Sequence, residues 1–270
     1  MRRTGLTLAL AFGISPWAVV ILNAQQAPDP RVADLIQAGT VRVGVGLSIV
    51  GATKDQATGE LRGLAMDLAR ALAARFGVAV LPVIYPSPPM VLEGVKDGAW
   101  DVGFMAIDPS RLDQVDFSPP YLQVDSTYLV PAGSSIRNVI DADQPGTRIV
   151  VARNSAEEII LRRILKRAEL IVEATATAGL DLLRGGKADV LASSRPTLLQ
   201  FSARLPDYRV LEDRCGVVEI AMAVPTGHAG RLAYISEFIE EAKASGLVQR
   251  SIESAGMRGF KVAPPGSSAR

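Results

Sequence analysis

One cysteine, Cys215, and one histidine, His228, are all that these 270 residues contain of the two side chains most used to hold transition metals. A lone thiol excludes an intramolecular disulfide, and a zinc site of His and Cys ligands would need partners that the sequence lacks. No Ser/His/Asp set surrounds His228, and no phosphate loop of the Gly-x-x-x-x-Gly-Lys type is present. Charge is equally sparse in excess: the net value is +1, which gives no reason to expect nucleic acid or an anionic membrane as a partner. No cofactor is expected. Long apolar runs are confined to the start of the chain. There Arg2 and Arg3 precede the apolar stretch Gly5 to Leu22, and Ala24 and Ala27 supply small residues for cleavage. Residues 1–24 are therefore expected to be a signal peptide that exports the protein to the periplasm, with an uncleaved anchor as the alternative.

What remains is an α/β pattern. Val41 to Val45 alternates and is rich in valine, as a strand requires. Leu64, Leu68, Leu72 and Phe76 then recur every fourth residue, one apolar stripe of a helix that Gly77 ends. Val78 to Ile84 reads as a second strand, with Pro82 marking an edge, and Trp100 to Met105 as a third. The plan recurs with a strand at Arg148 to Ala152, a helix at Ser155 to Arg167, a short helix at Ala178 to Leu183 and a strand at Ala188 to Ala192. Gly98-Ala99-Trp100-Asp101-Val102 and Gly186-Lys187-Ala188-Asp189-Val190 share Gly-x-x-Asp-Val at the same point of each plan. Two similar βαβ lobes follow, rather than one long sheet. The expected boundaries are 31–126, completed by 220–260, for the first lobe and 127–219 for the second. The crossings fall at Thr127 to Pro131 and Glu219 to Pro225, and 261–270 is expected to be a disordered tail. Two crossing strands make a hinge, and a hinge between lobes makes a cleft.

Ligands of open α/β sheets sit beyond the C-terminal ends of strands, which selects the loops Gly46 to Thr53, Met105 to Arg111, Arg153 to Ser155 and Ser193 to Arg195. Ser155-Ala156-Glu157-Glu158 is a capping-box sequence directly after a strand, and the amides of such a helix start attract anions. Its plain alternative is an ordinary cap. Arg111 offers a guanidinium that can hold a carboxylate in a bidentate pair, or else a surface ion pair with Asp108 or Asp113. Arg195 is a weaker candidate for the same work. Trp100 reads as packing, His228 as a turn residue, and the cluster Arg162, Arg163, Lys166 and Arg167 as a solvated helix face.

The segment MAIDPSRLDQVDFSPPY, Met105 to Tyr121, resembles the Thr-x-Thr-Pro-Glu-Arg…Val-Asp-Phe-Ser-x-Pro-Tyr stretch of the family 3 solute-binding proteins, the extracytoplasmic receptors of polar amino acid ABC transporters. GELRGLAMDLARALAARFGV, VARNSAEEIILRRIL and LLRGGKADVLASS resemble further segments of that family in its order. The resemblance implies a bilobal fold of the periplasmic-binding-protein type II class, with two hinge strands and capture of a small carboxylate or amino acid by lobe closure. It also implies an ABC transporter permease as partner, and the protein is expected to act as a monomer. Arg111 matches the arginine that holds the ligand carboxylate, and Asn154 and Ser155 match the two threonines that assist it. Ser194 falls where amino acid binders carry an aspartate for the ligand ammonium, Ala106 where they carry a serine or threonine, and Ser48, Ile49 and Ala52 fall in the loop that supplies an aromatic wall. The expectation is a solute without an essential α-amino group, unless an acid such as Asp108 restores the ammonium site from another direction. Two other functions compete. One is a periplasmic dehydratase acting on cyclohexadienyl acids, for which Asp108 would be the acid–base candidate. The other is a ligand-sensing domain without a transporter, which a retained N-terminal anchor would favour.

Overall fold

The structure is a computed structural model and describes residues 29–48, 50–86, 88–153 and 155–267. The expected signal peptide lies outside these, as do Ile49 and Asn154. Among the described residues no helix is long and apolar enough to cross a membrane.

A short helix α1 (Ala33–Gln37) leads into strand β1 (Thr40–Gly46). A two-residue hairpin, β2 (Thr53–Lys54) with β3 (Leu61–Arg62), precedes helix α2 (Leu64–Phe76). Strand β4 (Ala79–Tyr85), helix α3 (Glu93–Lys96), β5 (Val102–Ala106), β6 (Val115–Phe117) and the ten-residue β7 (Leu122–Pro131) follow. The second half runs β8 (Arg148–Ala152), α4 (Ala156–Ile164), β9 (Glu169–Glu173), α5 (Ala176–Arg184), β10 (Val190–Ser194), α6 (Arg195–Ser202) and β11 (Tyr208–Val210). The ten-residue β12 (Gly216–Pro225) returns, and helices α7 (Ala229–Ala244) and α8 (Leu247–Ser254) and strand β13 (Phe260–Val262) close the chain.

The main sheet has the order β4-β1-β5-β12-β7-β10-β8-β9. It is symmetric in plan: a parallel trio at each end, and between them two long antiparallel strands. β12 pairs with β7 through Gly216–Ile220 against Ser126–Leu122 and then runs on to pair Ile220–Ala223 with β5. In the same way, β7 runs on from Ser126 to Leu129 against β10. Each long strand thus belongs to both halves, which makes the fold bilobal with two hinge strands. The pairing of Gln123 Nε2 with Glu219 Oε1 at 2.8 Å ties the two strands side by side.

The apolar stripe read from the sequence becomes the buried face of α2, with Leu64, Leu68 and Leu72 fully covered. Burial of each such side chain contributes roughly 1.5–3 kcal/mol. Asp67 in the first turn and Arg75 in the last favour the helix dipole. Gly77 adopts φ 68° and ends the helix in the left-handed region that favours glycine. The α7 face of Ile235, Phe238, Ile239 and Ala242 shares one core with α2 and β1. A separate core in the second half gathers Tyr128, Val130, Ile149, Val151 and Leu161. Pro82 lies on β4, an edge strand, where its missing N–H is harmless.

The repeated Gly-x-x-Asp-Val has a physical cause. Asp101 accepts hydrogen bonds from the backbone and guanidinium of Arg42 on β1, at 2.9 Å for the amide and 2.6 Å for Nη2. Asp189 does the same for Arg148 on β8, at 2.9 Å and 2.8 Å. One Arg–Asp clasp therefore fastens the first strand of each trio to its neighbour.

Three expectations change. The helix from Ser155 stops at Ile164 instead of Arg167. The Asp143 carboxylate takes the amides of Lys166, Arg167 and Ala168, which turns the chain out of the helix and into the unforeseen edge strand β9. Trp100 lies before β5 rather than within it, buried and donating its indole N–H to Val91 O at 2.8 Å. The tail expected from 261 is structured at its start. Lys261 and Val262 pair with Gln123 and Leu122, Ala263 is buried, and Pro264 O accepts from the buried Lys243 ammonium.

Asp125, on β7, is buried and receives Lys261 at 2.6 Å, Arg214 at 3.2 Å and Arg195 at 3.3 Å. Burial pushes its carboxyl upward, but the hydrogen bonds from Lys261 and Arg214 and the charges of Lys261 and Arg195 outweigh this and hold it below the usual carboxylate range. Asp125→Asn should cost about 2–3 kcal/mol in urea denaturation at pH 7, less than a fully buried pair because Arg214 and Lys261 are half exposed. A depressed folded value means the stabilisation is present above the unfolded value of about 4 and is lost as pH falls through the folded one. The difference between wild type and variant should therefore shrink on acidification; a difference that stays constant down to low pH would show that it is not the carboxylate charge that matters.

Candidate functional site

The four loops chosen from the sequence lie at the C-terminal ends of β1, β5, β8 and β10, two in each half of the sheet. In the first half, the loop after β1 is a tight turn. The Ser48 hydroxyl accepts from Gly51 N at 3.0 Å, and Ser48 N donates to Ala52 O at 3.0 Å. Ser48 therefore holds its own loop, and Ala52 is buried beneath it. The loop after β5 contains a short 3-10 turn, Pro109–Arg111, capped by Asp108, which accepts from Ser110 N at 2.9 Å and Ser110 Oγ at 2.8 Å. The amide and hydroxyl of Ser110 hold the Asp108 carboxyl below its usual range. An ionised cap is a poor general acid, although its carboxylate can still accept a proton.

Arg111 ends that turn, half-buried, and Nη1 donates to Ala106 O at 2.8 Å. This is the one hydrogen bond of its guanidinium among the described residues, and neither Asp108 nor Asp113 pairs with it as an ion pair. The carbonyl anchor fixes the guanidinium beside the end of β5 while leaving other N–H groups for a carboxylate. Next to it is a cavity of about 190 Å³ lined by Gly46, Val50, Phe104, Ala106, Tyr121 and Ile220. Its wall is almost wholly apolar. Tyr121 is fully buried, stacked edge-on against Phe104 with centroids 5.9 Å apart, and its hydroxyl has no partner among the described residues. Burial drives the phenol far above its usual range, so it stays protonated.

In the second half, Ser155 is the N-cap of α4. Its hydroxyl accepts from Glu158 N at 3.1 Å and donates to Ala152 O at 2.7 Å. This is the serine half of the capping box that the sequence predicts, directly after β8; the Ser155 amide donates to Ala152 O at 3.3 Å. Glu158 reaches Arg162 at 2.8 Å. Ser194 is the last residue of β10, with Oγ 2.9 Å from Thr197 Oγ1, and pairs in register with Ser126 of β7. Asn154, expected beside Ser155, lies outside the described residues.

Arg195, the weaker candidate, is held by the protein itself. Its guanidinium contacts Asp125 Oδ2 at 3.3 Å and donates to the carbonyls of Leu211, Glu212 and Asp213 at 2.9 to 3.1 Å. Nε is committed to Asp125 of β7 and both Nη atoms to the loop before β12, so the residue clasps the hinge. Its neighbour in sequence, Ser194, gives no hint of this, because the acceptors lie 16 to 18 residues downstream. Sequence reasoning also passed over Glu157, which is buried with Oε1 2.8 Å from Ser126 Oγ. In the sequence it reads only as the second helical residue of a capping box.

The model of the bacterial extracellular solute-binding proteins, family 3, matches residues 41–254. The chain belongs to this family. Among curated proteins it is 25% identical over 248 residues to a cyclohexadienyl dehydratase of Pseudomonas aeruginosa, covering 87% of this chain and 90% of that protein. It is 22% identical over 202 residues, 72% of each protein, to the glutamine-binding protein GlnH of a Bacillus subtilis ABC transporter. Among solved structures, an ancestral cationic amino acid solute-binding protein matches with a TM-score of 0.64 at 23% identity, covering 83% of this chain and 98% of that one. A putative ABC-transporter binding component from Wolinella succinogenes, complexed with lysine, matches with a TM-score of 0.62 at 25% identity, covering 80% and 95%. The fold class is that of these family members.

Ser155→Ala removes the cap of α4 and should lower stability by about 1 kcal/mol, read as a shifted urea midpoint with an unchanged slope. No loss on substitution would mean that another group caps this helix.

Proposed function

We propose that the protein is the extracytoplasmic solute-binding protein of an ABC transporter, exported to the periplasm, and that it captures a small carboxylate-bearing solute by lobe closure. The closing bodies are 31–126 with 220–260, and 127–219. The observation that carries this reading is Arg111, a guanidinium fixed by one carbonyl at the end of β5 beside an apolar cavity. Membership of the family and the capped helix start at Ser155, at the end of β8, support it. A carboxylate bound by the Arg111 guanidinium would turn the rest of the solute towards the cavity, whose volume of about 190 Å³ suits a side chain of a few carbons.

A second reading, an enzyme on the same scaffold, is favoured by the similarity to a dehydratase along nearly the whole chain. It needs a group that can give or take a proton in the site, and Asp108, ionised as a turn cap, could only take one.

Charge-assisted hydrogen bonds contribute roughly 1.5–3 kcal/mol each. Arg111→Ala should therefore weaken binding about 10- to 100-fold, measured by calorimetry on whichever amino or organic acid most raises the melting temperature of the full chain. Unchanged affinity would remove Arg111 from the site. Incubation with a cyclohexadienyl acid, followed by ultraviolet absorbance, should show no aromatised product; turnover would replace the binding reading with the enzymatic one.

A further inference from the structure

The cavity beside Arg111 is walled by the ends of β1 and β5, by the loop after β1, and by Tyr121 and Ile220. None of the described residues in this wall carries a charge. Phe104, Met105 and Ile220 supply hydrocarbon and a thioether, and the one side-chain oxygen or nitrogen is the neutral Tyr121 hydroxyl. Ala106 contributes a methyl group where the family resemblance places a serine or threonine hydroxyl. The backbone acceptors of the wall are drawn inwards as well. Gly46 O accepts from Ala52 N at 3.3 Å, Ala106 O from Arg111 Nη1 at 2.8 Å, Ile220 O from Tyr121 N at 3.0 Å, and Tyr121 O from Ala263 N at 3.1 Å.

The acids that flank this wall along the chain are committed elsewhere. Asp108, two residues after Ala106, accepts from the amide and hydroxyl of Ser110 at 2.9 Å and 2.8 Å. Glu219, next to Ile220 on β12, lies on the opposite face of that strand and accepts from Gln123 Nε2 at 2.8 Å. Asp101, before β5, is held by Arg42 at 2.6 Å. Arg111, beside the cavity, adds a positive charge. A cationic tail entering here would lose its water, meet no carboxylate and lie close to a guanidinium, each of which opposes binding. A hydrocarbon tail gives up no hydrogen bond and gains by leaving water for an apolar wall.

Size sets the upper limit. An apolar cavity of about 150 Å³ stays dry and takes a benzene ring, so this one has room for a phenyl group or roughly five carbons of chain. We propose that the cavity is a tail pocket that selects a carboxylic acid with an uncharged hydrocarbon tail of up to that size and rejects acids with a cationic tail. Phe104, Ala106 and Ile220 are then specificity-determining residues, because they leave the pocket without a charge or a free acceptor. This rests on the carboxylate-binding reading above and narrows it: Arg111 holds the head of the solute, and the wall chooses the tail. Selection of the tail is independent of whether the solute also carries an α-amino group.

The test titrates the full-length protein by calorimetry with straight-chain acids from propanoate to hexanoate and with the matching L-amino acids from alanine to norleucine. Isosteric pairs isolate the charge: hexanoate against 5-aminopentanoate, and norleucine against ornithine. In whichever series binds, each added methylene should tighten binding about fourfold. The uncharged tail should be preferred over its cationic isostere by about tenfold or more. Val50→Trp, which fills the cavity from the loop after β1, should flatten the dependence on chain length. A cationic member that binds as tightly as its isostere, or a wild type indifferent to chain length, overturns the proposal whether or not the variant folds, while Arg111-dependent binding of those acids leaves carboxylate capture standing. An undiminished chain-length dependence in Val50→Trp places the tail elsewhere and overturns it too. Binding of none of these acids overturns both.

Discussion

The antiparallel pairing of β12 with β7, Gly216–Ile220 against Ser126–Leu122, is the constraint on which the rest of the molecule depends. Each parallel trio could satisfy its own interior, but only these two long strands belong to both. They bring the C-terminal ends of β1 and β5 into one protein with those of β8 and β10, from parts of the chain more than 40 residues apart. Parallel strands need crossover helices, so a fold made of two such trios requires long antiparallel strands to pass between them.

Charge follows from that pairing. A strand at the seam exposes alternate residues to opposite faces, and β7 uses the alternation fully. Asp125 points to the side where α6, the loop before β12 and β13 converge, and draws a cation from each of them. Ser126 points to the side of α4 and meets a carboxylate. The same logic separates the two arginines that the sequence treats alike. Arg111 follows β5 by five residues and is held by one local carbonyl, whereas Arg195 follows β10 directly and is absorbed by the chain folding back before β12.

Local patterns were the legible part. The helix α2 was readable because its stripe, its terminal charges and its glycine stop all act within a few residues. The cap at Ser155 was readable for the same reason, since a hydroxyl and an amide three residues apart meet whenever a helix starts there. The Gly-x-x-Asp-Val echo could be seen but not explained, because its partners, Arg42 and Arg148, lie 59 and 41 residues upstream. β9 was hidden because the residue that ends the preceding helix, Asp143, reaches it from 23 to 25 residues away.

Sequence alone therefore determined the class of fold, the order of its principal strands and helices, and the loops and arginine from which a carboxylate site is proposed. Each of these rests on periodicity, on caps, or on the rule that ligands sit at strand ends, and all of those operate over short separations. Tertiary structure alone decided which charged groups remain available. Arg195 and Asp125 neutralise each other at the hinge, Asp108 serves its own turn, and Glu157 is buried on the Ser126 hydroxyl. Availability is set by what long-range packing brings within hydrogen-bond distance, and no local pattern encodes that.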